Sequence, residues 1–207
     1  MPQEPADDIV DATYRALCTH GYTDLTMQAI ADECDKSKAA LHYHFDSKQE
    51  LLETFLSHLL DDFEEHLADV EGDDPVERLF ALVDTMLVEP SAEEDAPDAE
   101  FKTAVLELKA QAPYEPVYRE RLTLFDERLR DRIEELVADG IEAGLVVPER
   151  DPEDVATFVK TYLTGAQTRF VATGAPFEES RRLLHEYIRT ELLVEGVDVK
   201  ESGEVTA

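Results

Sequence analysis

The chain has 207 residues, 43% of them hydrophobic, enough for one compact unit or a small domain joined to a larger one. Lys and Arg number 19 against 49 Asp and Glu, a formal net charge of −30. Taken alone, that balance argues against nucleic acid as a partner, because nucleic-acid binders carry a basic face. The inference stays open, since charge can be unevenly distributed. No apolar run approaches the ~18–20 residues needed to span a bilayer. The acidic N-terminus, MPQEPADD, lacks the basic-then-apolar signature of a secretory signal, so a cytoplasmic location is expected. Cys18 and Cys34 make no disulfide framework.

So large a carboxylate excess would destabilise a compact fold by self-repulsion at low salt. At ~1 M salt the Debye length is only ~3 Å and the repulsion nearly vanishes. An acid-rich surface with 7 Lys and 12 Arg therefore points to a salt-loaded, halophilic cytoplasm. The alternative is an ordinary acidic protein that gains solubility from its charge.

Apolar residues recur every 3–4 positions and alternating strand patterns are absent, so the chain reads as all-α. Residues 7–20 form a first short helix, stopped by Gly21. Thr26 is placed to cap a second helix through Cys34, with Met27, Ile30 and Ala31 on its inner face. After a break at Asp35–Lys36, Ser37 caps a third helix ending near Phe45. Ser47-Lys48-Gln49-Glu50 is a capping box that opens a fourth helix, with a stripe from Leu51 to Leu67. Asp74-Pro75-Val76-Glu77 repeats the signal for a fifth through Met86.

Residues 89–100 hold six carboxylates and two prolines and read as a flexible acidic loop. Helices over 98–111 and 117–143 follow, the latter with expected i,i+4 pairs Asp126/Arg130 and Arg130/Glu134. Asp151-Pro152 starts the next helix, which Gly174 and Pro176 end. A last helix over 177–194 precedes a tail from Gly196 that reads as disordered. The total is about nine helices, divided into a three-helix unit over 1–50, a larger helical domain over 51–195 and the tail over 196–207.

A tight turn joins the second and third helices, the arrangement of a helix-turn-helix, whose second helix enters the DNA major groove. Residues 1–50 hold 4 basic and 10 acidic side chains. Residues 36–48, KSKAALHYHFDSK, hold Lys36, Lys38 and Lys48 against Asp46 alone, a basic island in an acidic molecule. Ser37 and Thr26 offer hydroxyls and helix N-terminal amides that favour anions. Lys38 and Lys48 supply point charges. Ala39 and Ala40 permit close approach and contact with a thymine methyl. Tyr43 and His44 present polar tips to the DNA backbone, while Leu41 and Phe45 pack inward. A solvated surface helix is the plainer alternative.

Three segments resemble the N-terminal domain of the TetR family of transcriptional regulators. IVDATYRALCTHGY from Ile9 resembles its first helix, LTMQAIADEC from Leu25 its second, and SKAALHYHFDSKQELL from Ser37 its recognition helix and the start of the fourth. The likeness spans residues 9–55, and a weaker one from Gln111 to Val146 points to BetI-like members. Two departures stand out. Asp35-Lys36 replaces the usual Gly-Val of the turn, and His42 replaces a usual Tyr. The resemblance carries DNA contact to Thr26, Ser37, Lys38, Ala39, Ala40, His42, Tyr43, His44 and Lys48. It also implies an effector cavity, for which Phe101, Tyr118, Phe125 and Tyr162 are candidates. Phe158, Tyr162, Ala166, Phe170, Leu184, Tyr187 and Ile188 are the candidates for the four-helix dimer interface it implies.

The resulting expectation is a homodimeric, ligand-responsive repressor that binds a palindromic double-stranded DNA operator and answers to a small-molecule effector, with no membrane partner. Two alternatives are kept. One is a helical ligand-binding or interaction module without DNA binding. The other is a metal-dependent enzyme using His58, Asp62 and His66, which share one helical face but span ~12 Å, too far for one ion to bridge both histidines. No nucleophile elbow, phosphate-binding loop or zinc-spaced Cys/His set occurs, so no catalytic residue, metal or cofactor is assigned. Cys18 and Cys34 read as inert thiols at inward positions. Contact with DNA at molar salt implies few phosphate pairs and more base and apolar contact.

Overall fold

In a computed structural model of the chain, residues 5–34, 36–89 and 99–197 are described. They form nine α-helices: α1 (Pro5–Asp24), α2 (Met27–Glu33), α3 (Lys38–His44), α4 (Lys48–Ala68), α5 (Pro75–Met86), α6 (Ala99–Gln111), α7 (Pro116–Glu142), α8 (Pro152–Thr173) and α9 (Phe177–Tyr187). Asp35, most of the acidic segment and the tail beyond 197 lie outside the described residues. A lone antiparallel bridge, Val146 to Leu193, is the extended pairing among the described residues.

Local chemistry sets the boundaries. Thr26 Oγ1 accepts from the Ala29 N–H at 3.1 Å, and Ser37 Oγ from the Ala40 N–H at 3.1 Å. Asp74 Oδ1 holds the Val76 and Glu77 amides at 2.8 and 2.9 Å, with Pro75 at the first helical position. The capping box differs from the expected form in one respect. Ser47 Oγ takes the Glu50 N–H at 3.1 Å, but the Glu50 carboxylate reaches the Asp46 amide, at 2.7 Å, one residue before the cap. Glu77 makes the same displaced bond to Asp73, at 2.9 Å.

The last helix also departs from expectation. Regular α-helix ends at Tyr187, and a single π turn covers Ile188–Leu192. The Val147 N–H donates to the Leu192 carbonyl at 2.8 Å and the Val194 N–H to that of Leu145 at 3.0 Å. The widened turn keeps Ile188 and Leu192 fully buried while delivering the next residues to that pairing. On α7 the expected ion pairs rearrange. Arg130 joins Asp131 at 2.9 Å, and Asp126 is taken by Lys160 at 2.6 Å.

The chain divides into two compact units: Met1–Phe63 with Pro90–Phe125, and Glu64–Glu89 with Asp126–Ala207. In the first, the core joins Ile9 and Leu17 of α1, Ile30 of α2, Leu41 of α3 and Phe55 of α4 to Leu108 of α6 and Tyr118 of α7. The three N-terminal helices thus share their interior with α6 and the start of α7. In the second unit, α5, α8 and α9 bury Leu79, Val83, Val159, Leu163 and Leu184.

Candidate nucleic-acid interface

Two buried side chains orient the recognition segment. Leu41 is 0% exposed and Phe45 7%, so α3 is anchored through one face. Truncating a buried leucine costs about 2–5 kcal/mol. With that face fixed, helical spacing turns Lys38, Ala39, His42 and Tyr43 outward, and all four are exposed. Tyr43 is 87% exposed, a large apolar ring held in solvent. Its ring meets that of His44 edge-on, 5.2 Å between centroids. Ala40 is half-buried. Seven residues of helix measure ~10 Å, a length the ~12 Å-wide major groove admits. Thr26 and Ser37 are exposed at the two helix starts, each with its oxygen engaged as a cap and its O–H left to donate.

The three lysines of the basic segment have different surroundings. Lys36 Nζ lies 2.9 Å from Asp8 Oδ2 on α1. Lys48 Nζ donates to the Leu25 carbonyl at 3.0 Å and the Tyr22 carbonyl at 3.4 Å, and sits 4.5 Å from the centre of the Tyr22 ring. Burial lowers the pKa of this ammonium. Lys48 is therefore a brace within the fold, not the free point charge expected from the sequence. Its position two residues after Asp46 carried no signal of that use. Lys38 has no ion-pair partner among the described residues and remains the outward cation.

Of the effector candidates, Phe101, Tyr118 and Phe125 belong to the first unit and Tyr162 to the second. Phe101 packs on Tyr14, with centroids 4.6 Å apart, and Tyr118 is 1% exposed in the same core. Burial, followed by the electrostatic influence of Tyr22, pushes the Tyr118 phenol above its ordinary range. Phe125 packs on Phe63 at 5.5 Å, and Tyr162 lies on α8 beside Phe158 at 6.4 Å.

The dimer candidates separate into two sets. Ala166, Leu184 and Ile188 are 8%, 1% and 0% exposed, occupied by their own unit's core. Phe170 stacks on Phe177 at 4.5 Å. Phe158, 45% exposed, instead pairs with Tyr187 at 4.4 Å on the surface. Leu183, one turn before Tyr187 and 41% exposed, joins that face and was missed by the sequence reading. The i,i+4 spacing of Leu183 and Tyr187 was the available signal.

Cys18 and Cys34 are both half-buried, and neither is in a disulfide. His58 Nδ1 lies 3.0 Å from the Thr54 carbonyl. Among the described residues, no three His, Cys, Asp or Glu side chains are grouped to hold a metal ion, and no helix is long and apolar enough to cross a membrane.

Two capped short helices on a shared core, the second offering an exposed face with a cation and an aromatic, define a helix-turn-helix DNA-binding regulator. Residues 9–55 match the bacterial regulatory proteins of the tetR family, and residues 75–193 match the BetI-type transcriptional repressor C-terminal region. The second match extends well beyond the likeness seen over 111–146. The chain belongs to the TetR family of transcriptional regulators. It is 32% identical to the regulator BetI of Agrobacterium fabrum over 81% of this chain and 77% of that one. It is 26% identical to the repressor AcnR of Corynebacterium glutamicum over 86% of this chain and 87% of that one. A solved TetR regulator from Haloarcula marismortui is 39% identical, with a TM-score of 0.81, covering 90% of this chain and 97% of that one. A transcriptional regulator from Saccharomonospora viridis in complex with choline shares the fold, with a TM-score of 0.80 at 22% identity over 92% of this chain and 98% of that one.

Proposed function

We propose that the protein is a homodimeric repressor that places one α3 from each subunit in successive major grooves of a palindromic operator. The observation that carries this reading is the outward face of α3, with Lys38, Ala39, His42 and Tyr43 exposed on a helix pinned by Leu41. Thr26, Ser37, Ala40 and His44 border that face, and Lys48 supports it from behind. Residues 1–50 carry recognition, and 51–195 carry effector binding and dimerisation. The surface pair Phe158–Tyr187, with Leu183 and Tyr162, is the apolar patch that a second copy covers. An effector loosens DNA only by favouring a conformer with different spacing between the two recognition helices. The acid-rich composition supports function in a salt-loaded cytoplasm, as does likeness to a Haloarcula marismortui protein.

Mobility shift and sedimentation on tiled duplexes from upstream of the coding sequence, in molar KCl, test this reading. The expected species is one duplex carrying two subunits or a multiple of two. Choline is the first effector to titrate, because the Saccharomonospora viridis protein binds it and aromatic rings favour quaternary ammonium. Absence of a sequence-specific complex at any salt overturns the repressor reading.

A further inference from the structure

Outside the exposed face of α3, the corner between α1 and α2 gathers side chains from three other helices. Glu107 Oε2, on α6, accepts a hydrogen bond from the Tyr22 backbone N–H at 2.6 Å, across 85 residues of sequence. The residue before it, Gly21, interrupts α1 with φ 66° and ψ 175°, a backbone region that L side chains rarely adopt. A Cβ placed on Gly21 stands 3.0 Å from the same Glu107 oxygen. One glycine therefore supplies both the bend and the room for the carboxylate. From α4, Lys48 holds the carbonyls of Tyr22 and Leu25. From α7, the Tyr118 ring meets the Tyr22 ring edge-on, 6.2 Å between centroids. Leu25 directly precedes Thr26, the cap that starts the helix-turn-helix.

Around the Glu107–Tyr22 bond, Ala104, Leu108 and Phe101 of α6 pack with apolar α1 residues. Apolar contact is non-directional and tolerates sliding. A short hydrogen bond to a carboxylate is directional and fixes one register.

We propose that Glu107 is a positioning residue for operator recognition. Through the Tyr22 amide it fixes how the helix-turn-helix sits on α6, and hence the separation of the two recognition helices in the dimer. This role rests on the homodimeric operator reading above.

The test uses the full chain and a duplex that the wild-type protein selects from a randomised pool. Derivatives of that duplex have one base pair inserted or removed at the centre, moving each half-site pair by ~3.4 Å with a matching rotation. Wild-type affinity should fall about ten-fold or more on the altered duplexes. Glu107→Leu should lose at least half of that penalty, and its Tyr22 amide should exchange faster with solvent. Glu107→Gln, which keeps an acceptor oxygen, should restore both wild-type behaviours. If the leucine variant does not fold, Glu107→Asp withdraws the carboxylate by one methylene and keeps the charge. A wild-type spacing penalty in the Leu or Asp variant overturns the role, as does failure of Gln alongside Leu. Selection of no duplex by the wild-type chain overturns the operator reading and this role with it. Selection followed by unchanged penalties overturns this role alone.

Discussion

Lys36 Nζ lies 2.9 Å from Asp8 Oδ2, so the lysine in the turn of the helix-turn-helix is neutralised by α1 before any DNA arrives. With Lys48 directed at backbone carbonyls, the basic segment presents one outward cation, Lys38. A net charge of −30 and a DNA partner are compatible because α3 itself carries a lysine and no acidic side chain. The salt dependence of binding should reflect it. Each phosphate neutralised contributes a slope of about −0.9 in log affinity against log salt, so a dimer with one outward lysine per subunit should give about −2. Titration of a selected duplex with KCl measures this, and a slope steeper than about −5 would mean that further cations of the protein reach the phosphates.

The surface aromatic pair on α8 and α9 predicts an assembly phenotype. Phe158→Asp places a charge on the patch we propose a second copy covers, and Phe158 is already 45% exposed. It should convert the dimer to a monomer in sedimentation equilibrium with little change in helical circular dichroism. Leu184→Ala, at 1% exposure, should instead lower stability by about 2–5 kcal/mol. A dimeric Phe158→Asp variant would place the interface elsewhere.

Gly21→Ala should destabilise the protein. The backbone there sits at φ 66°, and conformations of this kind cost roughly 1–3 kcal/mol for other residues. The added Cβ also crowds the Glu107 carboxylate at 3.0 Å. For a chain of this size each kcal/mol lowers Tm by about 2–4 °C. A thermal melt at fixed molar salt that shows no decrease would mean the corner relaxes freely.

Alkaline stability should carry the signature of Tyr118. Burial, then its contacts with Tyr22 and Glu115, raise its phenol above the ordinary value of 10.0. Above that pH the unfolded chain releases a proton that the native chain retains, so stability falls as pH rises. Below pH ~10 both states keep the proton and stability does not vary with pH on its account. Lys48 acts in the opposite sense, since burial lowers its pKa and the native state releases that proton first, raising stability toward pH ~10.5. Urea unfolding from about pH 9 to about pH 12 should show the decline, and Tyr118→Phe should flatten it.

What the sequence made legible was local. The bend at Gly21 and the caps at Thr26 and Ser37 involve backbone within a few residues, and each follows from its residue type. Leu41 and Phe45 were readable as inward because helical spacing decides it. Contacts between distant segments were not readable. Nothing in Lys48 indicates that the Leu25 carbonyl will take its ammonium, and nothing in Glu107 names the Tyr22 amide. Leu184 and Ile188 fit an exposed interface as well as a core until the packing of α9 turns them inward. Asp126 had two basic partners within reach of its chemistry, and the tertiary one, Lys160, won over the helical neighbour.

Lys38→Ala is the sharpest probe of whether the exposed face of α3 reads DNA. Fluorescence anisotropy on a duplex selected by the wild-type chain, in molar KCl, supplies the affinity, while sedimentation and circular dichroism track dimer and fold. Binding should weaken about five-fold or more, with dimerisation and helicity unchanged. Wild-type affinity in the Lys38→Ala dimer would contradict a DNA-reading α3.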